Sequence, residues 1–336
     1  FAAILPPSFS SPSLDASSLT PTWRLKERMK TMGVCLILAL NIGTDPPDIQ
    51  KPTPCAKLQT WMDPTLISRA KARERIGERL EAQYAKWQQN RHGGSRGLKY
   101  KRALDPTEEE VRNVCTSMRR HAKNERLLFH YNGHGVPRPT SNGEIWLFDK
   151  DHTQYIPLSV GDLKAWIGRP SIVVLDCSNA GVLLPFFTHG MHTGGSEYGR
   201  STHTPRGVAG VSVNGGGKAT LTPEQVASQS VRDYIILCPT SENEILPLNP
   251  EYPADIFTSC LTTPLPMALR WFVRQNPLVM GDRYTAIFDA DLSGSFDTGI
   301  LPGKLNDRKT PLGELNWISV FSAAILAGFV GGEHVP

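Results

Sequence analysis

Met32 to Ile42 (MGVCLILALNI) is apolar over strand length without the polar interruptions of a half-exposed strand, and the largely apolar stretches Arg126 to Tyr131 (RLLFHY) and Ser171 to Asp176 (SIVVLD) read as two further core strands. A strand with one wet face alternates apolar and polar residues, whereas a continuous apolar run belongs to a strand covered on both faces. That condition is met in parallel sheets packed between two layers of helices, and it constrains the fold more than any other property of the sequence.

The segments between these runs carry helical periodicity. Asp63 to Gln89 reads as a long helix started by Asp63-Pro64, with Ile76, Leu80, Tyr84 and Trp87 on one face and alternating basic and acidic residues on a solvated face. Asp105-Pro106-Thr107-Glu108 supplies an N-cap, a proline at N1 and a carboxylate at N3 of a second helix. Val111, Val114, Cys115, Met118 and Ala122 form its buried stripe, and Arg119, Arg120 and Lys123 complement the dipole at its end. A short strand at Glu144 to Phe148 and a helix around Leu158 to Ile167 follow. The strand, helix, strand order predicts an α/β domain, a three-layer sandwich with a mostly parallel central sheet flanked by helices.

Bulk properties narrow the function. With 336 residues and 40% hydrophobic content the chain suffices for one large domain or one domain and the start of another. Its 36 basic and 32 acidic residues leave a net charge of +4, too little for the broad basic field that nucleic acid demands. The six cysteines form no CxxC pair, which fits reduced thiols in the cytosol or nucleus. Ile318 to Val330 is apolar but shorter than the roughly 20 residues of a bilayer span, so no membrane insertion is expected. Residues 1–22 are Ser- and Pro-rich and read as a disordered lead-in, not a signal peptide. The missing initial Met and the apolar end suggest a fragment of a longer protein, or a gene model whose ends are wrong.

Ligands of parallel sheets gather at the carboxyl ends of the strands. His134, within Asn132-Gly133-His134-Gly135, and Cys177, which follows Asp176, both fall just past the end of a core strand. A thiolate nucleophile needs an imidazole to take its proton, and the N–H groups of Gly135 and Cys177 would supply an oxyanion hole, with the flanking glycines letting backbone approach substrate. The separation of His134 and Cys177, 43 positions, is close to the ~50 residues between the histidine and cysteine of caspases. Each residue alone would more commonly be a packed thiol or a hydrogen-bonded core histidine. Gly215-Gly216-Gly217-Lys218 lacks the Ser/Thr and the glycine spacing of a phosphate loop, and His189, His192 and His203 lie in a Gly/Ser/Thr-rich tract without rigid support for a metal. No cofactor and no metal site are expected.

LLFHYNGHGVPRPT (Leu127 to Thr140), TQYIPLS (Thr153 to Ser159) and LDCSNAG (Leu175 to Gly181) resemble the amino-terminal conserved domain of the Raptor family, the regulatory-associated proteins of TOR. Similar strings recur at RMKTMGV (Arg28 to Val34), DPPDIQKPTPCAKLQTWMDP (Asp45 to Pro64), DIFTSCLTTPLPMALRWF (Asp255 to Phe272) and KLNDRKTPLGELNWI (Lys304 to Ile318). The resemblance divides the chain into a caspase-like domain over 23–272 with a flexible insertion at 188–230, a divergent linker at 273–303, a family segment at 304–318 leading toward helical repeats, and a divergent tail at 319–336.

The resemblance implies a caspase-like fold with His134 and Cys177 at the dyad positions, and a scaffold of TOR complex 1 that presents substrates to the TOR kinase in nutrient and growth signalling. It implies a pseudoenzyme, cytoplasmic and recruited to the lysosomal or vacuolar surface. Its partners would be the kinase and substrates bearing a short hydrophobic-acidic TOR-signalling motif, with Leu305 lining an apolar pocket and Arg308 pairing with the motif's acidic residue; packing of this strip on the repeats is the plainer alternative. The sequence departs from caspases where Asp176 precedes Cys177, since a neighbouring carboxylate raises a thiol's pKa. The rival function is an active cysteine peptidase using His134 and Cys177, which would need Arg138, Arg169 or another arginine in a pocket for a substrate aspartate.

Overall fold

Each continuous apolar run becomes an inner strand of one sheet. In the computed structural model, which describes residues 31–50, 58–60, 62–89, 98–188, 234–250, 252, 254–262, 267–271, 302–304 and 307–326, the sheet has five strands, all parallel. They are β1 (Thr31–Leu38), β2 (Lys99–Leu104), β3 (Arg126–Asn132), β6 (Ser171–Asp176) and β7 (Tyr234–Leu237), in the spatial order β2-β1-β3-β6-β7. A separate antiparallel pair, β4 (Glu144–Phe148) and β5 (Tyr155–Ser159), stands outside it.

Two apolar layers sandwich the sheet, one for each side-chain direction along the strands. Cys35, Ile37, Phe129, Tyr131, Val173 and Leu175 meet α2 (Glu108–Ala122) and α3 (Val160–Ile167) on one face. Val34, Leu36, Leu38, Leu128, Ile172 and Val174 meet α1 (Arg69–Gln89) and α5 (Ile256–Thr262) on the other, through Ile76, Leu80, Tyr84 and Leu261. Each fully buried Leu or Ile contributes about 1.5–3 kcal/mol, so the interleaved runs account for the parallel order. The expected three-layer α/β sandwich is the fold. Two further helices are α4 (Leu184–Thr188) and α6 (Pro311–Leu326), and among the described residues no helix is long and apolar enough to cross a membrane.

Several local expectations change. Asp63 caps a single 3-10 turn at Pro64–Leu66, accepting from the N–H of Thr65, and α1 begins only at Arg69. The side chain of Trp87 lies outside the described residues. The cap of α2 is Thr107, not Asp105: its hydroxyl accepts from Glu110 N–H while the Glu110 carboxylate accepts from Thr107 N–H, so the reciprocal box starts two residues later. Asp105 is committed elsewhere. Its Oδ1 accepts from the N–H groups of Leu40 (2.7 Å) and Asn41 (3.0 Å), and its Oδ2 pairs with Arg73 (2.8 Å), which ties the loop after β1 to α1. Tyr155–Ser159 is a strand where the helix around Leu158 was expected; Pro157 is tolerated because, among the described residues, β5 pairs only with β4, and Ser159 caps α3.

Arg119 braces the sheet as well as neutralising a helix end, donating to the carbonyls of Ile167 and Pro170, to that of Glu125 and to the Ser171 hydroxyl. The lead-in, the insertion with its histidines and the glycine-lysine string, and nearly all of the linker lie outside the described residues.

Candidate functional site

Strands β3 and β6 are neighbours whose last residues, Asn132 and Asp176, are paired in register. His134 and Cys177 are therefore brought to the same edge of the sheet, as their placement in the sequence implied. Asn132 Oδ1 accepts from His134 N–H (3.1 Å), and the N–H of Gly133 donates to Asp176 O (2.9 Å), so the loop after β3 is held down on β6.

At that edge the side chains part. Asp176 faces the α1/α5 layer, where its Oδ2 accepts from the Thr258 hydroxyl at 2.6 Å and stands 4.0 Å from His130 Nε2. The next residue, Cys177, is buried in the opposite apolar cluster with Tyr131 and Leu175. His134 turns to the carboxylates. Its Nε2 lies 3.2 Å from Asp176 Oδ1 and 3.6 Å from Asp255 Oδ2, and its Nδ1 is 3.1 Å from Gln59 Oε1. Both ring nitrogens thus meet side-chain oxygens.

The expected oxyanion hole is absent from this arrangement. The N–H of Gly135 donates to Ala39 O (2.9 Å) and that of Cys177 to Leu175 O (3.0 Å), so both donors are spent inside the fold. The glycines answer to packing as well: a Cβ at Gly133 would meet the Tyr131 ring at 2.7 Å and Cys177 Cβ at 3.1 Å, and one at Gly135 would enter the backbone of Leu40 and Asn41.

The turn after β6 is tied to the segment after β7. Thr240 Oγ1 donates to Cys177 O (3.0 Å) and accepts from Ala180 N–H (2.9 Å), and Leu246 N–H donates to Ser178 Oγ (2.9 Å). Asn179 takes the left-handed conformation this turn needs, at φ 59°.

Electrostatics disfavour a thiolate. Burial, then the charge of Asp176, then Cys238 push the Cys177 thiol well above its ordinary range. Burial also pushes Asp176 up, but His134, with support from His130 and Thr258, outweighs it and holds the carboxyl below its usual value. Burial and the Asp176 charge raise Asp255 to about 6. Burial lowers His130 to about 4, leaving it neutral at pH 7, with Nδ1 2.9 Å from the Tyr84 hydroxyl.

Sequence reasoning located His134, Cys177 and Gly135 but missed Asp255, Gln59, Thr258 and His130. A polar His130 inside an apolar strand was a visible signal; nothing in the sequence places Asp255 beside Asp176. The arginines considered for a specificity pocket are engaged: Arg138 Nε lies 3.1 Å from Asp48, and Arg169 lies over the Tyr234 ring. Arg308 is exposed, its guanidinium 3.9 Å from the Trp317 ring centroid and its Nε 3.9 Å from Glu314 Oε2. Leu305 lies outside the described residues. The facing atoms of His134, Asp176 and Asp255 lie within 4.8 Å of one another, with the imidazole as partner to both carboxylates.

Residues 29–187 match the model of the Raptor N-terminal CASPase like domain. The chain is 46% identical over 300 residues to Regulatory-associated protein of TOR 1 of Arabidopsis thaliana, covering 89% of this chain and 19% of that protein. It is 41% identical over 313 residues to Target of rapamycin complex 1 subunit mip1 of Schizosaccharomyces pombe, covering 93% and 21%. The crystal structure of Chaetomium thermophilum Raptor superposes with a TM-score of 0.61 at 40% identity, over 88% of this chain and 22% of that one. The chain thus spans about a fifth of the length of these relatives. Parallel sheet, paired strand ends and these matches together place the chain in the Raptor family, through that family's amino-terminal caspase-like domain.

Proposed function

We propose that this chain is the amino-terminal part of a non-catalytic scaffold of TOR complex 1, which binds the TOR kinase and presents substrates to it in nutrient and growth signalling. The observation that carries this reading is the 41% identity, over 93% of the chain, to a protein named as a subunit of target of rapamycin complex 1. The site geometry supports the non-catalytic half: the imidazole is held by carboxylates, the thiol is buried and both candidate oxyanion donors are spent. Substrates would carry a short hydrophobic-acidic motif, recognised through Leu305 and the exposed Arg308 by charge-assisted hydrogen bonding. The same reading puts the protein in the cytoplasm, recruited to the lysosomal or vacuolar surface.

The rival, a cysteine peptidase, draws on His134 and Cys177 standing at the same sheet edge. One experiment separates them: the purified chain is offered a motif-bearing peptide, and both retention and cleavage are measured for wild type, Cys177→Ala and Arg308→Glu. Retention unaffected by Cys177→Ala and lost with Arg308→Glu, without cleavage, is expected. Cleavage abolished by Cys177→Ala would replace the scaffold with a protease.

A further inference from the structure

Thr258 ties two buried acids to the start of one helix. Its hydroxyl donates to Asp176 Oδ2 (2.6 Å), and its backbone N–H donates to Asp255 Oδ1 (2.9 Å), closing the first turn of α5. The second oxygen of each acid meets the same partner: Asp176 Oδ1 lies 3.2 Å and Asp255 Oδ2 3.6 Å from His134 Nε2. One imidazole therefore joins three separate segments, the loop after β3, the end of β6 and the residue that precedes α5.

The charges in this junction do not cancel. Even as an imidazolium, His134 brings one positive charge to two carboxylates, and Asp176 and Asp255 are 0% and 1% exposed. Two like charges side by side in a buried place are relieved when one of them takes up a proton. The surroundings decide which. Against its burial, Asp176 has the shorter approach to His134, with His130 and the Thr258 hydroxyl in support, and stays below the usual carboxylate range. Asp255 has the longer approach, and burial, then the charge of Asp176, push it up to about 6. The other titratable neighbours are Tyr84 against His130, Cys177 beside Asp176 and Cys260 beside Asp255. Burial pushes all three up, so they stay uncharged around neutrality.

We propose that Asp176, His134 and Asp255 form an acid-tightened latch, in which a proton taken up by Asp255 strengthens the hold of the sheet end on α5. Protonated Asp255 no longer repels Asp176, and its O–H becomes a donor among acceptors. Its folded value lies above the ordinary 3.8, so the folded chain binds this proton more tightly than the unfolded chain. The stability gained is complete below 3.8 and is lost as pH rises through about 6. His130 works in the opposite sense: burial lowers it from 6.5 to about 4, so it removes stability as pH falls through that interval. The latch thus offsets the acid sensitivity that a buried histidine imposes on the same layer.

This device is independent of the scaffold reading, since neither peptide retention nor cleavage enters its test. The whole chain is unfolded with urea from about pH 5 to about pH 7.5 for wild type, Asp255→Asn and Asp255→Ser. Both variants keep an oxygen for the Thr258 N–H and remove the titrating group, and Ser serves if Asn does not fold. His130 is common to all three, so its contribution cancels in the comparison. Relative to either variant, the unfolding constant of wild type should rise about tenfold across this range. Hydrogen exchange over Ile256–Thr262, corrected for intrinsic rates, should show greater protection at the acid end in wild type, a reading that suffices if neither variant folds. A ratio of unfolding constants that is flat with pH or falls as pH rises, or protection of α5 that does not follow pH, would overturn the latch and leave the three residues a static ion pair.

Discussion

Gly135 lies so close to Leu40 that a Cβ at position 135 would come within 1.9 Å of the Leu40 carbonyl oxygen. The loop carrying His134 is thereby pressed against the backbone that leaves β1, and the Gly135 N–H completes the contact by donating to Ala39 O. The histidine's position is set by a close approach of main chain to main chain.

Gly135→Ala should therefore be among the most damaging single-methyl changes in the domain. The clash is with backbone, which has no rotamer to yield, and overpacking of this kind costs about 3 kcal/mol. A urea or thermal melt of the purified variant should show a large loss of stability or no folded protein; a midpoint unchanged from wild type would mean the two loops separate easily.

Asp105→Ala should cost about 2–4 kcal/mol, because it strips the N–H groups of Leu40 and Asn41 of their acceptor and leaves Arg73 without its carboxylate. Asp105→Asn keeps an acceptor oxygen and should recover part of that loss in chemical denaturation. Equal losses for the two variants would assign the whole effect to the Arg73 pair.

Thr258→Val should destabilise by about 1–3 kcal/mol, since the buried Asp176 Oδ2 loses its hydroxyl donor while the shape is kept. Thr258→Ser restores the donor and should restore most of the stability. Failure of Ser to rescue would show that the methyl, and not the hydroxyl, matters.

Cys177 should resist alkylation in the folded protein at neutral pH, being buried with its thiol pushed well up, while the exposed Cys260, whose thiol burial and Asp255 also raise, reacts before it. Mass spectrometry of a timed iodoacetamide reaction checks the order. Prompt modification of Cys177 would indicate an accessible, activated thiol and favour the protease reading.

Thr107→Ala removes half of the capping box of α2 and should cost about 1 kcal/mol. An unchanged midpoint for Thr107→Ala in chemical denaturation would mean that the box adds nothing to the helix.

The sequence by itself determined the layers of this protein. Runs such as Ser171–Asp176 are apolar on both faces and can only be inner strands, and the stripe Val111, Cys115, Met118, Ala122 can only bury one side of a helix; both are local patterns, legible from neighbours along the chain. Local pattern also put His134 and Cys177 past the ends of strands. What it did not contain was where their side chains go. Asp176 and Cys177 are consecutive, yet the sheet sends them to opposite layers, and Asp255 and Thr258 arrive beside Asp176 from roughly 80 residues further along, a separation of the kind the Thr258 to Asp176 hydrogen bond spans (82 positions). Asp105 and Gly135 were likewise misread because their partners, Leu40 and Asn41, are far away in the chain. Hydrophobic periodicity is a property of a segment, whereas the pairing of buried polar groups depends on which segments meet, and only the packed sheet and its helices decide that.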